Sequence, residues 1–301
     1  MNARMRHVLT LAGDPATRLL DATVLEAARE ALSEVGAEVG ALDWLAPGLA
    51  VDILFDGVRP KAAQAAVAKA LAERPFDLVA QEREERRKRL FVADMDSTIV
   101  QSETLDELAA KAGLGEQISA ITLRSMRGEV PFEESLRQRV AMLAGLSVEL
   151  MGDVVRELHL MPGARSLVRT LRANGCYTAL VSGGFTFATE PVAELCGFHE
   201  QRANLLLHTD GQLTGHVQEP ILGRHGKLEA LRELARTLEL TLEQTCAIGD
   251  GANDLAMIKE AGLGVAFRGK PLVRAEAPYA IDHGDLTTLL YFQGYREMEF
   301  I

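Results

Sequence analysis

The sequence has few cysteines, and none lies close to another. Cys176, Cys196 and Cys246 are odd in number, are set among apolar neighbours and form no CxxC pair. This usage excludes a disulfide framework and favours a reducing compartment. The chain also lacks a basic segment leading into an apolar run at its start, and any apolar run of membrane-spanning length. We therefore expect a cytoplasmic protein with no membrane partner.

Basic residues are also scarce relative to acidic ones. The 32 Lys and Arg residues are outnumbered by 43 Asp and Glu residues, which gives a net charge of −11. Nucleic-acid binding relies on clustered Lys and Arg, so we expect no nucleic-acid partner. A small phosphorylated metabolite is compatible with this charge, because a metal or a few cations can neutralise phosphate locally. None of the seven histidines has metal-site spacing to another.

The first 80 residues predict a small α+β domain within a chain that is too long for one compact core. Their pattern is strand, helix, strand, strand, helix, strand, the split βαβ order of ferredoxin-like domains. The charge run at 81–89 is interpreted as a connector, because its glutamates offset its basic residues. The predicted strands and helices cover residues 6–12, 22–36, 38–44, 50–56, 60–73 and 76–80.

Residues 90–301 predict an α/β domain. Short β-type runs (LFVADMD, CYTALVSGG, QTCAIGDG, GLGVAF) alternate with long helical patterns, which indicates a Rossmann-like, doubly wound parallel sheet. Residues 101–161 have helical periodicity and no strand signal, so we expect an inserted helical cap. Three β runs end in the polar segments DMDST, SGG and GDGAND, and such ends converge on one crevice.

Two acidic clusters predict a magnesium site at this crevice. Asp94 and Asp96 are one residue apart, so a strand through both would point their side chains to the same side. The later cluster supplies Asp250, Asn253 and Asp254, beside glycines that let the backbone approach a ligand closely. Mg2+ prefers hard oxygen ligands and keeps waters and phosphate oxygens in its shell. DxD alone is a weak signal, since Asp is common in turns, and the second cluster strengthens it.

Groups suited to an anion accompany these acids. Ser182 and Gly183 end the apolar run CYTALV and offer a hydroxyl and backbone N–H groups, although by themselves they are also typical of a tight turn. Lys227 opens the helical segment GKLEALREL and can bring a positive charge to phosphate.

In this order and spacing, DMDSTIVQSE, FEESLRQRV, VSGGF, Lys227 and GDGANDLAM resemble the haloacid dehalogenase superfamily of phosphohydrolases. Within it, the chain is similar to the phosphoserine phosphatase family, especially bacterial members with an additional N-terminal domain. The resemblance begins near residue 90, and the first 80 residues resemble an ACT-type regulatory domain. It implies Mg2+ as the cofactor and hydrolysis of O-phospho-L-serine to L-serine and phosphate, the final step of serine biosynthesis.

The resemblance also implies roles for individual residues. Asp94 would be the nucleophile that forms an aspartyl-phosphate, and Asp96 would protonate the leaving serine oxygen and then activate water. A like charge nearby raises the pKa of a proton donor, so we expect the Asp94 charge to keep Asp96 protonated. Mg2+ would be held by the carboxylates of Asp94 and Asp250 and the backbone carbonyl of Asp96, with Asp254 in support. Polar groups from three segments would contact the phosphate: Ser182, Gly183, Lys227 and Asn253.

Substrate choice is expected in the cap. Glu103 matches the family's acidic residue that meets the substrate ammonium, and Arg139 matches the arginine that binds its carboxylate bidentately. Arg137 is the alternative to Arg139. Met126 and Phe132 would form an apolar wall that excludes water.

Two other functions are compatible with parts of this pattern. A related phosphatase or phosphotransferase would use the same chemistry on another metabolite, and Glu103 with Arg139 favours an amino-acid phosphate over it. A non-catalytic amino-acid sensor would have lost the acidic residues and the lysine, yet both are present. We further hypothesise that the N-terminal domain modulates the enzyme or makes it a homodimer.

Overall fold

Two β-sheets organise the computed structural model, which describes residues 5–72, 74–126 and 129–301. The first is a four-stranded antiparallel sheet in the order β2-β3-β1-β4, with two helices on one face. Its elements are β1 (His7–Ala12), α1 (Ala22–Glu34), β2 (Glu38–Ala46), β3 (Ala50–Asp56), α2 (Pro60–Ala70) and β4 (Asp77–Glu82).

The predicted order of strands and helices in this N-terminal domain is confirmed. The Asp21 side chain accepts a hydrogen bond from the Val24 N–H and caps α1, and Pro60 presets the first turn of α2. Strand β4 continues through Glu82, so it includes the first two residues of the segment that we interpreted as a connector.

The second sheet has six parallel strands in the order β12-β11-β10-β5-β6-β7. From β5 the chain runs outward to β7 on one side and returns to build β10 to β12 on the other. The strand order therefore reverses next to β5 and β10, which is where ligands bind in such folds. The strands are β5 (Leu90–Ala93), β6 (Tyr177–Phe185), β7 (Glu200–Asn204), β10 (Thr245–Gly249), β11 (Leu263–Phe267) and β12 (Tyr279–Ile281).

Helices cover both faces of this sheet, as expected for strands that are almost wholly buried. Between β7 and β10, the hairpin of β8 (Leu206–Thr209) and β9 (Gln212–Val217) packs on the cap. The doubly wound sheet is confirmed, whereas β7, β12 and the hairpin were not predicted. The helices of this layer are α7 (Ala164–Ala173), α8 (Thr186–Cys196), α9 (Arg224–Thr237), α10 (Leu255–Glu260), α11 (Pro271–Glu276) and α12 (Thr288–Phe292).

The predicted helical cap lies between β5 and β6. It contains α3 (Thr104–Lys111), α4 (Gly115–Met126), α5 (Phe132–Ala141) and α6 (Glu149–Glu157). An apolar cluster joins Leu108, Ile118 and Leu136 of the cap to Phe185 of β6 and to the β8–β9 hairpin, which holds the insertion above the sheet.

The two sheets share an apolar core. Leu45, Leu49 and Val79 of the N-terminal domain lie in the same buried cluster as Phe91 of β5 and Tyr291 of α12. One face of the antiparallel sheet is thus covered by α1 and α2, and the other by the parallel-sheet domain.

Buried polar contacts reinforce this junction. The Asp77 carboxylate, at the start of β4, accepts hydrogen bonds from the backbone N–H groups of Asp282, His283 and Gly284, the shortest at 2.7 Å. The Arg86 guanidinium donates to Asp52 Oδ2 at 2.6 Å. The N-terminal domain is therefore held by both apolar and polar contacts.

Two structural findings bear on the expectations about membrane spanning and cysteine usage. Within the described ranges, no helix combines the length and apolarity needed to cross a bilayer. Cys176, Cys196 and Cys246 are all buried free thiols.

Candidate active site

A cavity of about 870 Å³ lies between the cap and the carboxyl ends of the parallel strands. Loops after β5, β10 and β11, the end of β6, and helices α3 to α5 enclose it. Most of the predicted site residues line it: Asp94, Asp96, Glu103, Phe132, Arg139, Ser182, Gly183, Asp250 and Asn253.

Lys227 lies directly behind the floor of this cavity. It is wholly buried on α9, and its Nζ is 2.6 Å from Asp94 Oδ1 and 2.5 Å from Asp254 Oδ1. Burial alone would lower the pKa of Lys227, but the two carboxylates outweigh that effect and leave it raised. The lysine is therefore a fixed positive charge against Asp94.

Asp94 follows the last residue of β5, and its backbone N–H donates to Ile248 of β10 at 3.0 Å. This bond fixes Asp94 at the point where the strand order reverses. Burial, and then the charge of Asp254, raise the pKa of Asp94 well above its usual range, while Lys227 opposes the rise. The site thus holds more negative charge than Lys227 balances.

Three carboxylates provide a donor set for a metal ion. Oxygens of Asp94, Asp250 and Asp254 lie within 4.8 Å of one another. Asp254 is already engaged, since Lys227 binds one of its oxygens and the Gly251 N–H donates to the other at 2.9 Å. The oxygen chemistry fits Mg2+, with Asp94 and Asp250 as the carboxylates that would face it, because both line the cavity and Asp254 does not.

Asp96 occupies a different environment from Asp94. The chain leaves the strand at Ala93, so the predicted strand through both aspartates is wrong, yet both side chains reach the cavity. The Thr104 N–H donates to Asp96 Oδ1 at 3.0 Å. Burial, and then the charge of Glu103, raise the pKa of Asp96 to about 7. We expected the Asp94 charge to be the cause, but enclosure by the protein and the Glu103 charge account for the rise.

Glycines bring backbone close to these carboxylates. A Cβ atom on Gly184 would lie 2.7 Å from Asp96 Oδ2, and one on Gly249 would lie 2.4 Å from the Asp254 carboxyl carbon. The segment of Ser182 and Gly183 belongs to β6 rather than to a tight turn. The glycines therefore leave space for the neighbouring carboxylates and for a ligand, and any larger residue would fill that space.

The cap contributes the remaining predicted residues. Arg139 lines the cavity and donates to Ser135 O at 3.3 Å, whereas Arg137 pairs with Glu219. Glu103 Oε1 accepts a hydrogen bond from Ser97 Oγ at 2.9 Å. The geometry favours Arg139 over Arg137 as the cavity cation. The side chain of Met126 is outside the described residues.

Several polar residues of the site were not predicted, including Thr122, Ser125 and Arg224 of the cavity lining. Lys270 and Asp106 line the cavity, and Lys270 Nζ is 3.2 Å from Asp250 Oδ2. The Asn204 side chain joins β6 to the segment before α9 by donating to Gly183 O and Leu222 O. Lys270 follows β11 at the same sheet edge as the acidic clusters, so the rule applied to the other strand ends would have found it.

A family model for haloacid dehalogenase-like hydrolases matches residues 91–259. The chain belongs to this family. The match begins in β5 and ends in α10, so it includes Asp94, the cap and the Asp250 cluster. The predicted superfamily is thereby confirmed.

The chain is also similar to individual phosphoserine phosphatases. A phosphoserine phosphatase of Streptomyces coelicolor is 42% identical over 298 residues, which is 98% of this chain and 72% of that protein. The unliganded structure of a probable phosphoserine phosphatase from Vibrio cholerae has a TM-score of 0.77 at 31% identity and covers 98% of this chain and 88% of that one. A phospho-aspartyl intermediate analogue of phosphoserine phosphatase has a TM-score of 0.65 at 39% identity, over 68% of this chain and 98% of that one.

Proposed function

We propose that this chain hydrolyses O-phospho-L-serine to L-serine and phosphate through an aspartyl-phosphate intermediate. One observation carries the proposal: a single cavity presents Asp94, with Lys227 directly behind it, on its floor, and Glu103 and Arg139 of the cap on its wall. The floor suits a phosphoryl group, and the wall suits an ammonium and a carboxylate. The similarity to phosphoserine phosphatases supports the same substrate.

In the first step, a carboxylate oxygen of Asp94 attacks phosphorus in line with the serine oxygen. The bond between phosphorus and that oxygen breaks as the bond to Asp94 forms, and Asp96 gives its proton to the departing alkoxide. A pKa of about 7 suits Asp96 to this role, since much of it is protonated at neutral pH. Lys227 stabilises charge on the phosphoryl oxygens and holds Asp94 in place.

In the second step, water attacks the phosphorus of the aspartyl-phosphate. Asp96, now ionised, takes the proton of that water, the bond between phosphorus and Asp94 breaks, and phosphate leaves. Both side chains return to their starting protonation states. Ser182, Gly183 and Asn253, which line the same cavity, are suited to bind the phosphate oxygens.

We assign the metal as Mg2+, held by the carboxylates of Asp94 and Asp250 and the Asp96 carbonyl. When bound, the ion offsets negative charge on the phosphoryl group and on Asp94. The close grouping of the Asp94, Asp250 and Asp254 carboxylates supports this assignment.

On the cap side, Glu103 is suited to bind the substrate ammonium and Arg139 its carboxylate. Burial lowers the pKa of Arg139, and Asp106 and Glu103 offset that effect in part. Within the described part of the chain, Arg139 makes no ion pair, so its guanidinium is available to a ligand. Phe132 lies beside Gly183 and would shield the phosphate from water.

The wider setting is also a proposal. Residues 1–80 would form the regulatory domain, 81–89 the connector and 90–301 the phosphatase, with a homodimer made through the N-terminal domain. A cytoplasmic location is supported by the three free, buried cysteines.

The test is phosphate release in the presence of Mg2+ from phosphoserine, phosphothreonine, a sugar phosphate and p-nitrophenyl phosphate. The Asp94→Asn variant serves as the inactive control, because an amide cannot act as the nucleophile. A strong preference for phosphoserine, lost in this variant, is the expected result.

Two results would count against the proposal. Variant-sensitive turnover of another panel member in preference to phosphoserine would keep the chemistry and contradict the roles of Glu103 and Arg139. Absence of any variant-sensitive turnover would favour the amino-acid sensor.

A further inference from the structure

Lys270 connects the two ends of the cavity. It precedes α11, and its backbone N–H donates to the Asp250 carbonyl at 2.9 Å. Its Nζ is 3.2 Å from Asp250 Oδ2 and 3.9 Å from Glu103 Oε1. The side chain is 43% exposed and lines the cavity. One ammonium group therefore contacts both a carboxylate suited to the metal and the carboxylate suited to the substrate ammonium.

The second lysine of the site is placed very differently. Lys227 is wholly buried between Asp94 and Asp254 and has no freedom to move. Lys270 is anchored through its backbone, and its long side chain pairs with Asp250 and Glu103 while remaining 43% exposed in the cavity. Lys227 is a fixed charge, and Lys270 is a movable one.

We propose that Lys270 is a specificity-determining residue, which neutralises Asp250 and Glu103 in the empty site and turns to the anionic groups of the substrate once the metal ion binds Asp250. The inference rests on the proposed function and names a further residue for the same site.

The positive charge of Lys270 is expected to have opposite effects on the binding of the metal ion and of the substrate. A positive ammonium beside Asp250 repels an incoming cation and competes with it for the carboxylate, so Lys270 weakens metal binding. The same ammonium, displaced from Asp250, attracts the phosphate or carboxylate of the substrate, so Lys270 strengthens substrate binding. A residue that merely supported the loop would affect both ligands in the same direction.

The test compares Lys270→Met with the wild-type enzyme in two measurements. Calorimetric titration of the substrate-free protein with MgCl2 is expected to show affinity about tenfold tighter in the variant, because the competing cation is gone. At saturating MgCl2, the KM for phosphoserine is expected to rise about tenfold. The inhibition constant of inorganic phosphate identifies the substrate group that Lys270 contacts. This constant rises in the variant if Lys270 contacts the phosphate of the substrate, and it stays unchanged if Lys270 contacts the carboxylate.

Two matched variants complete the design. Lys270→Arg keeps the charge and is expected to remain close to wild type in both measurements. Lys259→Met removes a lysine that pairs with Glu276 on the protein surface, and is expected to change neither constant.

The proposal is overturned if Lys270→Met binds MgCl2 no more tightly than wild type, or if its KM for phosphoserine is unchanged. Failure of the proposed function looks different, because the wild-type enzyme itself would then leave phosphoserine intact. The MgCl2 titration still decides the competition at Asp250 in that case.

Discussion

Asp96 is about half protonated at neutral pH because the protein encloses it. Its pKa of about 7 is caused first by burial and second by Glu103. The Thr104 N–H opposes this by favouring the ionised form. The cap thus sets the acidity of the catalytic core, since both Glu103 and Thr104 lie at the start of α3.

This pKa predicts the pH dependence of the reaction. As the pH rises through about 7, Asp96 loses the proton that the serine alkoxide needs, so kcat/KM for phosphoserine is expected to fall. Asp96→Asn is expected to lower kcat by roughly 10² to 10⁴-fold and to abolish this fall. The first step with p-nitrophenyl phosphate, measured as the burst of p-nitrophenol, is expected to lose much less, because this leaving group needs no proton. Parallel pH profiles for the two enzymes on phosphoserine would contradict the role of Asp96.

The same residue predicts a pH-dependent difference in stability. The pKa of Asp96 is raised from 3.8 to about 7 on folding, so the folded state holds a proton that the unfolded state has released. Stability from this group is lost as the pH rises from about 4 to about 7, by roughly 1.4 kcal/mol per unit. In metal-free buffer, the free energy of unfolding of Asp96→Asn minus that of wild type is expected to increase by about 2–3 kcal/mol as the pH rises from roughly 5 to 8. Urea denaturation at several pH values measures this gain, and a constant difference between the two proteins would contradict it.

Sequence motifs predicted nine of the residues that line the cavity, because most of these nine sit in continuous segments at strand ends. Lys270 was not predicted as a site residue, because a single lysine in the segment RGKP is typical of an exposed loop. Asn204 was not predicted because only the fold brings it close to its hydrogen-bond partners, Gly183 and Leu222.

At the scale of single elements, β6 is the strand most constrained by the site. It keeps strand geometry through Phe185, which places Gly184 against Asp96. A helix or turn at this point would have moved the backbone away from the carboxylate.

Gly184→Ala is therefore expected to damage activity more than stability. The new Cβ would lie 2.7 Å from Asp96 Oδ2 and 3.1 Å from Ser182 Oγ, so the proton donor must move. A displacement of this kind is expected to cost about 10²-fold in kcat. Gly115→Ala at the start of α4 is the control, since its Cβ would meet nothing closer than 3.6 Å. Wild-type kcat in Gly184→Ala would contradict the close approach.

Elements with strong periodicity were predicted well, and short or half-exposed ones were not. The cap helices and the N-terminal strands have clear patterns over many residues. Strand β12 has only three residues, and β7 (EQRAN) has almost no apolar side chains. Their pairing with the neighbouring strands of the sheet, rather than local preference, makes them strands.

At the scale of the whole molecule, the junction between the two sheets is the feature that sequence patterns described least. Periodicity shows which face of a strand is apolar, but not what covers it. Strand β1 is buried at all six positions, which is typical of a strand covered on both faces. The sequence thus contained a sign that the N-terminal sheet has a second partner, without identifying it.

Asp77→Ala tests how far this junction stabilises the protein. Three backbone N–H groups of the segment Asp282–Gly284 would lose their acceptor, and the hydrogen bond from Gly284 is buried. Each unsatisfied buried group costs about 1–3 kcal/mol, so we expect at least about 2 kcal/mol lower stability in urea denaturation. Asp14→Ala is the control, because Asp14 accepts a hydrogen bond only in an exposed turn. Equal stability of the two variants would contradict the importance of the junction.

The shared core also has a consequence for the order in which the protein can fold during synthesis. The Gln81 side chain donates to the Phe292 carbonyl, 211 residues further along the chain, and Leu49 and Val79 are covered by the same late segment. At about 5–20 residues per second, a ribosome needs roughly 10–40 s to make that segment. Until then the open face of the first sheet is exposed to water, so a chaperone would have its longest opportunity to bind there.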